Sequence, residues 1–436
     1  MKIYNSIKFR RRYCMLICAF SGTLLFGCNR ASDTRSASLT SSDGSTSNNT
    51  ALVILKANSP AGKDSREPEL SLTPDGRIIM SWIEKVTDKR AALRFAIRDR
   101  EKWSDVQTVA EGDNWFVNWA DFPSVIALKN GTLAAHWLVK SGTGTYAYDV
   151  NISQSSDSGK TWSKPIVPHT DKTPTEHGFV SLLALADGRL GAVWVDGRKL
   201  KNIQDHEDHG PLPVSMALRY ATIDAQGKVM DEAVLDERIC ECCQTSAALT
   251  SDGAIAVYRD RSEDEVRDIY FVRQQNRKWS APQPVHADGW QITACPVNGP
   301  SIAADGQRVA VAWYTEANDQ PRVHLAFSND SGRTFADPIR VDDGNAVGRV
   351  DVVLLSDGSA LVCWMSGTAE KGMTKVRRVG SDGSLDAIST VAETDIARSS
   401  GFPRIARMGN DLLFAWTEFG KPSRVSTAVA TLAIKK

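Results

Sequence analysis

Three cysteines fall within four positions in the stretch RICECCQTS, at Cys240, Cys242 and Cys243. Sulfurs so closely spaced can close disulfides, hold a soft metal ion, or pack as small apolar groups. Two more residues join them by position. Short alternating runs recur along the chain, each broken by a tight turn with a glycine (Asn410 in the last run). Counting eleven residues back from these turns gives Ser65, Ala120, His177, Cys242, Cys295, Val347 and Ser399. Counting ten back gives Arg66, Asp121, Gly178, Cys243, Pro296, Gly348 and Ser400. His177, Cys242 and Cys295 thus share one equivalent position in three consecutive repeats, with Cys240 and Cys243 beside them. Two chemistries compete there: a disulfide such as Cys242 or Cys243 to Cys295, and a Cys/His site for copper or zinc. A Cys242–Cys243 bond would be strained, because adjacent Cα atoms lie only about 3.8 Å apart. Cys363, mid-strand in SALVCWM, reads as a buried apolar filler.

A second set of candidates follows the aromatics that close the repeats. Glu84, Asp196, Asp260 and Glu418 each stand two positions beyond such an aromatic, and Arg198 in WVDGRK and Arg259 in YRDRS flank the acids. Carboxyls and guanidinium groups around one opening suit either hydrolysis of a polar substrate or its recognition, with an arginine fork on a carboxylate. The competing reading is an ordinary solvated rim.

The elements that must position these residues are seven hairpin units. SLTPDGRIIMSW, ALKNGTLAAHW, ALADGRLGAVW, ALTSDGAIAVY, IAADGQRVAVAW, LLSDGSALVCW and IARMGNDLLFAW each show a strand, a turn and a second strand ending in an aromatic. Asp-Gly and Asn-Gly accept positive φ, so each unit opens with a predicted two-residue β-hairpin. Third and fourth strands follow, and four-stranded units at spacings of 52 to 65 residues read as propeller blades. The expected fold is an all-β propeller of four-stranded blades, seven favoured and six the alternative. The last unit lacks an outer strand, and residues 51–57, ALVILKA, are expected to supply it. If the turns lie on one face, the starts of first strands and the ends of second strands emerge together on the other, around the channel.

The N-terminus carries a basic segment and an apolar run too short to span a membrane comfortably, ending in LFGC. This is similar to a bacterial lipoprotein box. The resemblance implies a signal peptide over 1–27, lipidation of Cys28, a Ser/Thr-rich tether over 28–50 and one domain over 51–436. Localisation is then the cell envelope with a membrane contact through the lipid, and Asn29 favours the outer membrane. Basic and acidic residues number 52 each, which argues against a nucleic-acid partner.

SSDSGKTW and SNDSGRTF match the Asp-box (bacterial neuraminidase repeat) pattern, and over roughly residues 60–433 the chain resembles sialidase-like propellers. That resemblance implies a turn-stabilising role for Asp157 and Asp330. It also implies a sialidase-like glycoside hydrolase acting on surface glycans or a small polar ligand, with Arg66 gripping a substrate carboxylate and Asp88 nearest the family's acid/base residue. The family's nucleophilic tyrosine has no counterpart at the last blade, where Phe402 stands. Enzymatic activity is therefore left open beside two alternatives: a metal or redox propeller built on the His/Cys cluster, and a non-catalytic platform for protein interaction.

Overall fold

The computed structural model describes residues 51–201, 214–368, 371–418 and 420–432. The expected signal, the lipid site Cys28 and the tether lie outside the described residues. The described chain forms seven antiparallel sheets. Their first strands, Ser65–Leu72, Ser124–Ala127, His177–Ala184, Ser246–Leu249, Ser301–Asp305, Ala346–Leu354 and Arg404–Met408, touch one another in order, and the last touches the first. The ring closes at seven blades, which excludes the six-bladed alternative. Blade 2 has three paired strands, with a bridge from Ile152 to Ile166 at its outer edge. Blade 7 borrows its outer strand from the start of the chain: Ile54–Ala57 pairs with Arg424–Thr431, Ile54 facing Ala430.

Second strands are buried on both faces because each blade lies against its neighbours, so polar/apolar alternation fades there. Leu190–Asp196 is buried at every position. Packing clusters bridge blades: Ile79, Leu93 and Phe95 of blade 1 meet Val125, Ala135 and Trp137 of blade 2. Burying each such aliphatic side chain contributes about 1.5–3 kcal/mol.

The turn chemistry differs from the two-residue expectation. In blade 1, Thr73 N donates to Arg77 O and Gly76 N to Thr73 O, with Gly76 at φ +81°. This is a three-residue loop whose glycine takes the left-handed position, and blades 2, 3 and 6 repeat it. Blades 5 and 7 do have two-residue turns, Asp305 facing Arg308 and Met408 facing Asp411. In blade 7 the positive-φ glycine is Gly409, at +64°, so Asn410 is not the glycine substitute.

The two Ser-x-Asp-x-Gly-x-Thr segments close turns after third strands. Asp157 accepts Thr161 N at 2.9 Å, Thr161 Oγ1 at 2.7 Å and Ser155 Oγ at 2.8 Å. Asp330 repeats the set with Thr334 and Ser328. Bonds from Thr161 hold the Asp157 carboxyl down at about 2. Gly159, at φ +89°, lies against Phe95 of the preceding blade, where a Cβ would collide.

Candidate functional site

A cavity of about 380 Å³ opens where first strands begin and second strands end, the face opposite the hairpin turns. Its walls come from the loops leading into blades 2, 3, 4, 5 and 7. Phe116, Trp119 and Tyr146 supply aromatic surface, and Asp121, Glu176 and Glu241 supply carboxyls. Glu176 and Glu241 stand twelve residues before Gly188 and Gly253, and Ala120, Cys242 and Cys295 eleven before Gly131, Gly253 and Gly306. Equivalent positions do converge. Counting from Gly409 rather than Asn410 places Arg398 in the same series, and Arg398 lines the cavity.

At the cavity wall Tyr148 sits between two acids. Its hydroxyl lies 2.9 Å from Asp121 Oδ2 and 2.8 Å from Glu176 Oε1, and its ring stacks on Phe116 with centroids 3.9 Å apart. A phenol has one proton, so it satisfies one carboxylate; the second carboxyl must carry its own proton and donate to the phenol oxygen. Burial raises both acids, Asp121 to about 7 and Glu176 well above the carboxylate range, with Asp121 adding to the rise of Glu176. Glu176 is the protonated partner. Asp121 is anchored in turn by Phe179 N at 2.8 Å, which completes a chain of donors from Glu176 through Tyr148 to Asp121.

The three sulfurs of Cys240, Cys242 and Cys243 cluster at this wall, and the Cys242 thiol also interacts with Cys295. Cys240 Sγ lies 3.2 Å from Cys243 Sγ and 3.8 Å from Cys242 Sγ. Cys242 and Cys295 line the same cavity, and all five described cysteines are free thiols, Cys363 fully buried among Leu361 and Phe414. The expected disulfide to Cys295 is not formed.

His177 does not belong with the cysteines. It stacks on His169 and faces Asp149, Asp171 and Asp196 at 3.3 to 3.8 Å, because its side chain lies buried between blades 2 and 3.

None of the eight catalytic candidates lines the cavity. Residues two apart on a strand share a face, and this explains the acids beyond the aromatics. Glu84 accepts the indole N–H of Trp82 at 3.3 Å and Asp196 that of Trp194 at 2.9 Å. Arg198 forks onto Asp196 at 2.6 and 2.7 Å. Arg259 is fully buried and donates to the carbonyls of Asn298, Arg267 and Tyr314. Asp260 is raised to about 7 by burial and by Asp236. Glu418 is exposed and accepts Ser426 Oγ at 2.7 Å, and exposed Asp88 pairs with Lys85 at 2.7 Å. Arg66 is half-buried, opposite Ile83 across its hairpin. The residues that line the cavity, Tyr148, Glu176, Glu241 and Arg398, were not singled out by any local pattern.

The fold and cavity together define a seven-bladed propeller with an aromatic, carboxyl-lined opening. No family model and no curated protein matches the chain. Among solved structures it is similar to the NanB sialidase from Streptococcus pneumoniae, at 11% identity and TM-score 0.45 over 82% of this chain and 83% of that one. It is also similar to Penicillium chrysogenum alpha-L-arabinanase complexed with arabinobiose, at 11% identity and TM-score 0.48 over 87% and 97%. Polysaccharide lyase Uly1 gives 10% identity and TM-score 0.48 over 82% and 88%. At such scores the propeller assignment rests on the strand pairing, not on these likenesses.

Proposed function

We propose that the protein is an envelope-anchored propeller lipoprotein that binds a glycan end at this cavity and cleaves it with acid assistance. The observation that carries the reading is Tyr148 bridging Asp121 and Glu176, an arrangement that requires one of the two carboxyls to hold a proton beside a cavity of ligand size. Aromatic rings offer flat apolar faces for the C–H surface of a sugar ring, and the exposed Arg398 offers a guanidinium to an anionic substituent. In this reading Glu176 donates to the leaving oxygen, and the Tyr148–Asp121 pair positions its carboxyl. Anchoring would come through Cys28.

The test is saturation-transfer NMR and product analysis on a panel of sialylated, uronic-acid and neutral oligosaccharides. Binding that Glu176→Gln leaves intact while abolishing product supports the reading. Absence of binding to every oligosaccharide at millimolar concentration would sink it.

A further inference from the structure

We propose that Cys240, Cys242 and Cys243 form a three-sulfur site for a monovalent soft cation, Cu(I), loaded through the cavity. The inference does not rest on the glycan reading. Three sulfurs approach pairwise within 4.8 Å, and two of the separations are 3.2 and 3.8 Å. An ion about 2.3 Å from each of three sulfurs in a plane needs them about 4.0 Å apart, so the cluster has only to open slightly. A Cys240–Cys243 disulfide would instead need that pair to close to about 2.05 Å and would leave Cys242 unused.

The ligand loop is held in place before any ion arrives. It joins Val229–Ile239 of blade 3 to Ser246–Leu249 of blade 4. Cys240 N donates to Arg259 O at 3.0 Å. Gln244, one residue past the trio, bonds Ala120 O at 2.6 Å and Gly299 N at 3.0 Å, which ties the loop to blades 2 and 5.

An arginine faces the sulfurs. Arg267 Nη1 points at Cys240 Sγ from 3.2 Å, the outer-sphere contact that metal thiolates commonly keep. Loading one cation onto three thiolates displaces the thiol protons and leaves a 2− complex beside the Arg267 guanidinium. Cys242 reaches the cavity wall, which gives the ion a path in.

The donor set selects the metal. Glu241, the nearest carboxylate in sequence, is committed to Arg261 and Arg267, and His177 is occupied in its own acidic cluster. Three sulfurs suit a soft, low-coordinate ion, whereas Zn(II) asks for four ligands. Among the described residues the next sulfur is that of Cys295, the equivalent residue of blade 5, which interacts with Cys242 but is exposed.

The experiment titrates fully reduced, oxygen-free protein with Cu(I) against a chromophoric Cu(I) chelator, then records X-ray absorption of the loaded protein. The expected result is one equivalent retained, with three sulfurs at about 2.3 Å and no nitrogen or oxygen. Cys242→Ser, at the least buried sulfur of the trio, should lose that equivalent while keeping the parent circular dichroism. Arg267→Met should weaken retention about 10- to 100-fold. Failure to retain copper, nitrogen or oxygen ligation, unchanged retention in Cys242→Ser, or Zn(II) held in preference to Cu(I) would each overturn the assignment.

Discussion

His169 and His177 lie ring on ring, with centroids 3.7 Å apart and planes 7° from parallel. Two imidazolium rings in that contact would repel, so the pair carries one proton. His177 keeps it: burial pushes its pKa down, but Asp171, Asp196 and Asp149 outweigh burial and raise it above the ordinary value. His169 is held down at about 4 by burial and by the charge on His177. The His169 contribution to stability is therefore present above the unfolded value of about 6.5 and lost as pH falls toward 4, at most about 3 kcal/mol. The His177 contribution has the opposite sign, complete below about 6.5 and lost as pH rises through its raised folded value. Urea unfolding of His169→Gln should show a shallower loss between pH 6.5 and 4 than the parent. Imidazole NMR should resolve one ring titrating near 4 and one above 6.5. Two rings titrating together near 6.5 would refute the arrangement.

Glu176→Gln should reduce any glycan cleavage by about 10²-fold or more, the usual contribution of a positioned acid, with little change in binding. Because the pKa of Glu176 is raised by burial, the acid form persists to higher pH than that of an ordinary carboxyl and is lost on further alkalinisation. The parent rate should fall on the alkaline limb alone over that range. A rate that rises as pH increases past neutrality would remove Glu176 from the acid role.

Arg259, at 1% exposure, gives two donors to Asn298 O at 2.9 and 2.7 Å and one to Tyr314 O at 2.7 Å. Its loss leaves buried carbonyls of blades 4 and 5 without donors. Arg259→Ala should cost about 3–5 kcal/mol in chemical denaturation. Arg259→Lys should recover little of this, since an ammonium cannot span the same carbonyls. Parent stability with selectively lost turnover would restore a catalytic role.

Removing residues 51–57 should destabilise blade 7 first. Ile54–Ala57 covers the edge of Arg424–Thr431, and Thr427 Oγ1 donates to Ala57 O at 3.2 Å. Each lost hydrogen bond costs about 0.5–1.5 kcal/mol, for a total of several kcal/mol. Hydrogen exchange should quicken most in residues 411–431, and the exposed edge should promote association. Uniform exchange across all blades would argue against local weakening.

The fold was legible because hairpin, spacing and closing aromatic recur in every blade. The closing strand was legible because the last unit was one strand short. The site was less so. Taking Asn410 for the turn residue shifted the seventh frame by one and hid Arg398, which Gly409 restores. The acids beyond the aromatics looked like mouth residues, but strand periodicity aims them back at the indoles. Asp121, Tyr148 and Glu176 come from two blades and three chain segments, and nothing in any one segment announces the others. The cysteine trio was visible as a cluster. Its separation from His177 depended on which way one side chain turns.

The pairing of Ile54 with Ala430 makes the order of strands a circle rather than a line. On a circle the place where the chain is cut is arbitrary. A gene in which the ends are joined by a short linker and new termini opened in the hairpin loop at Gly358 should therefore encode the same seven blades. The blade that then bears both termini, blade 6 in place of blade 7, would become the first to open, since the loop-closure entropy it spends is the only large quantity the rearrangement alters.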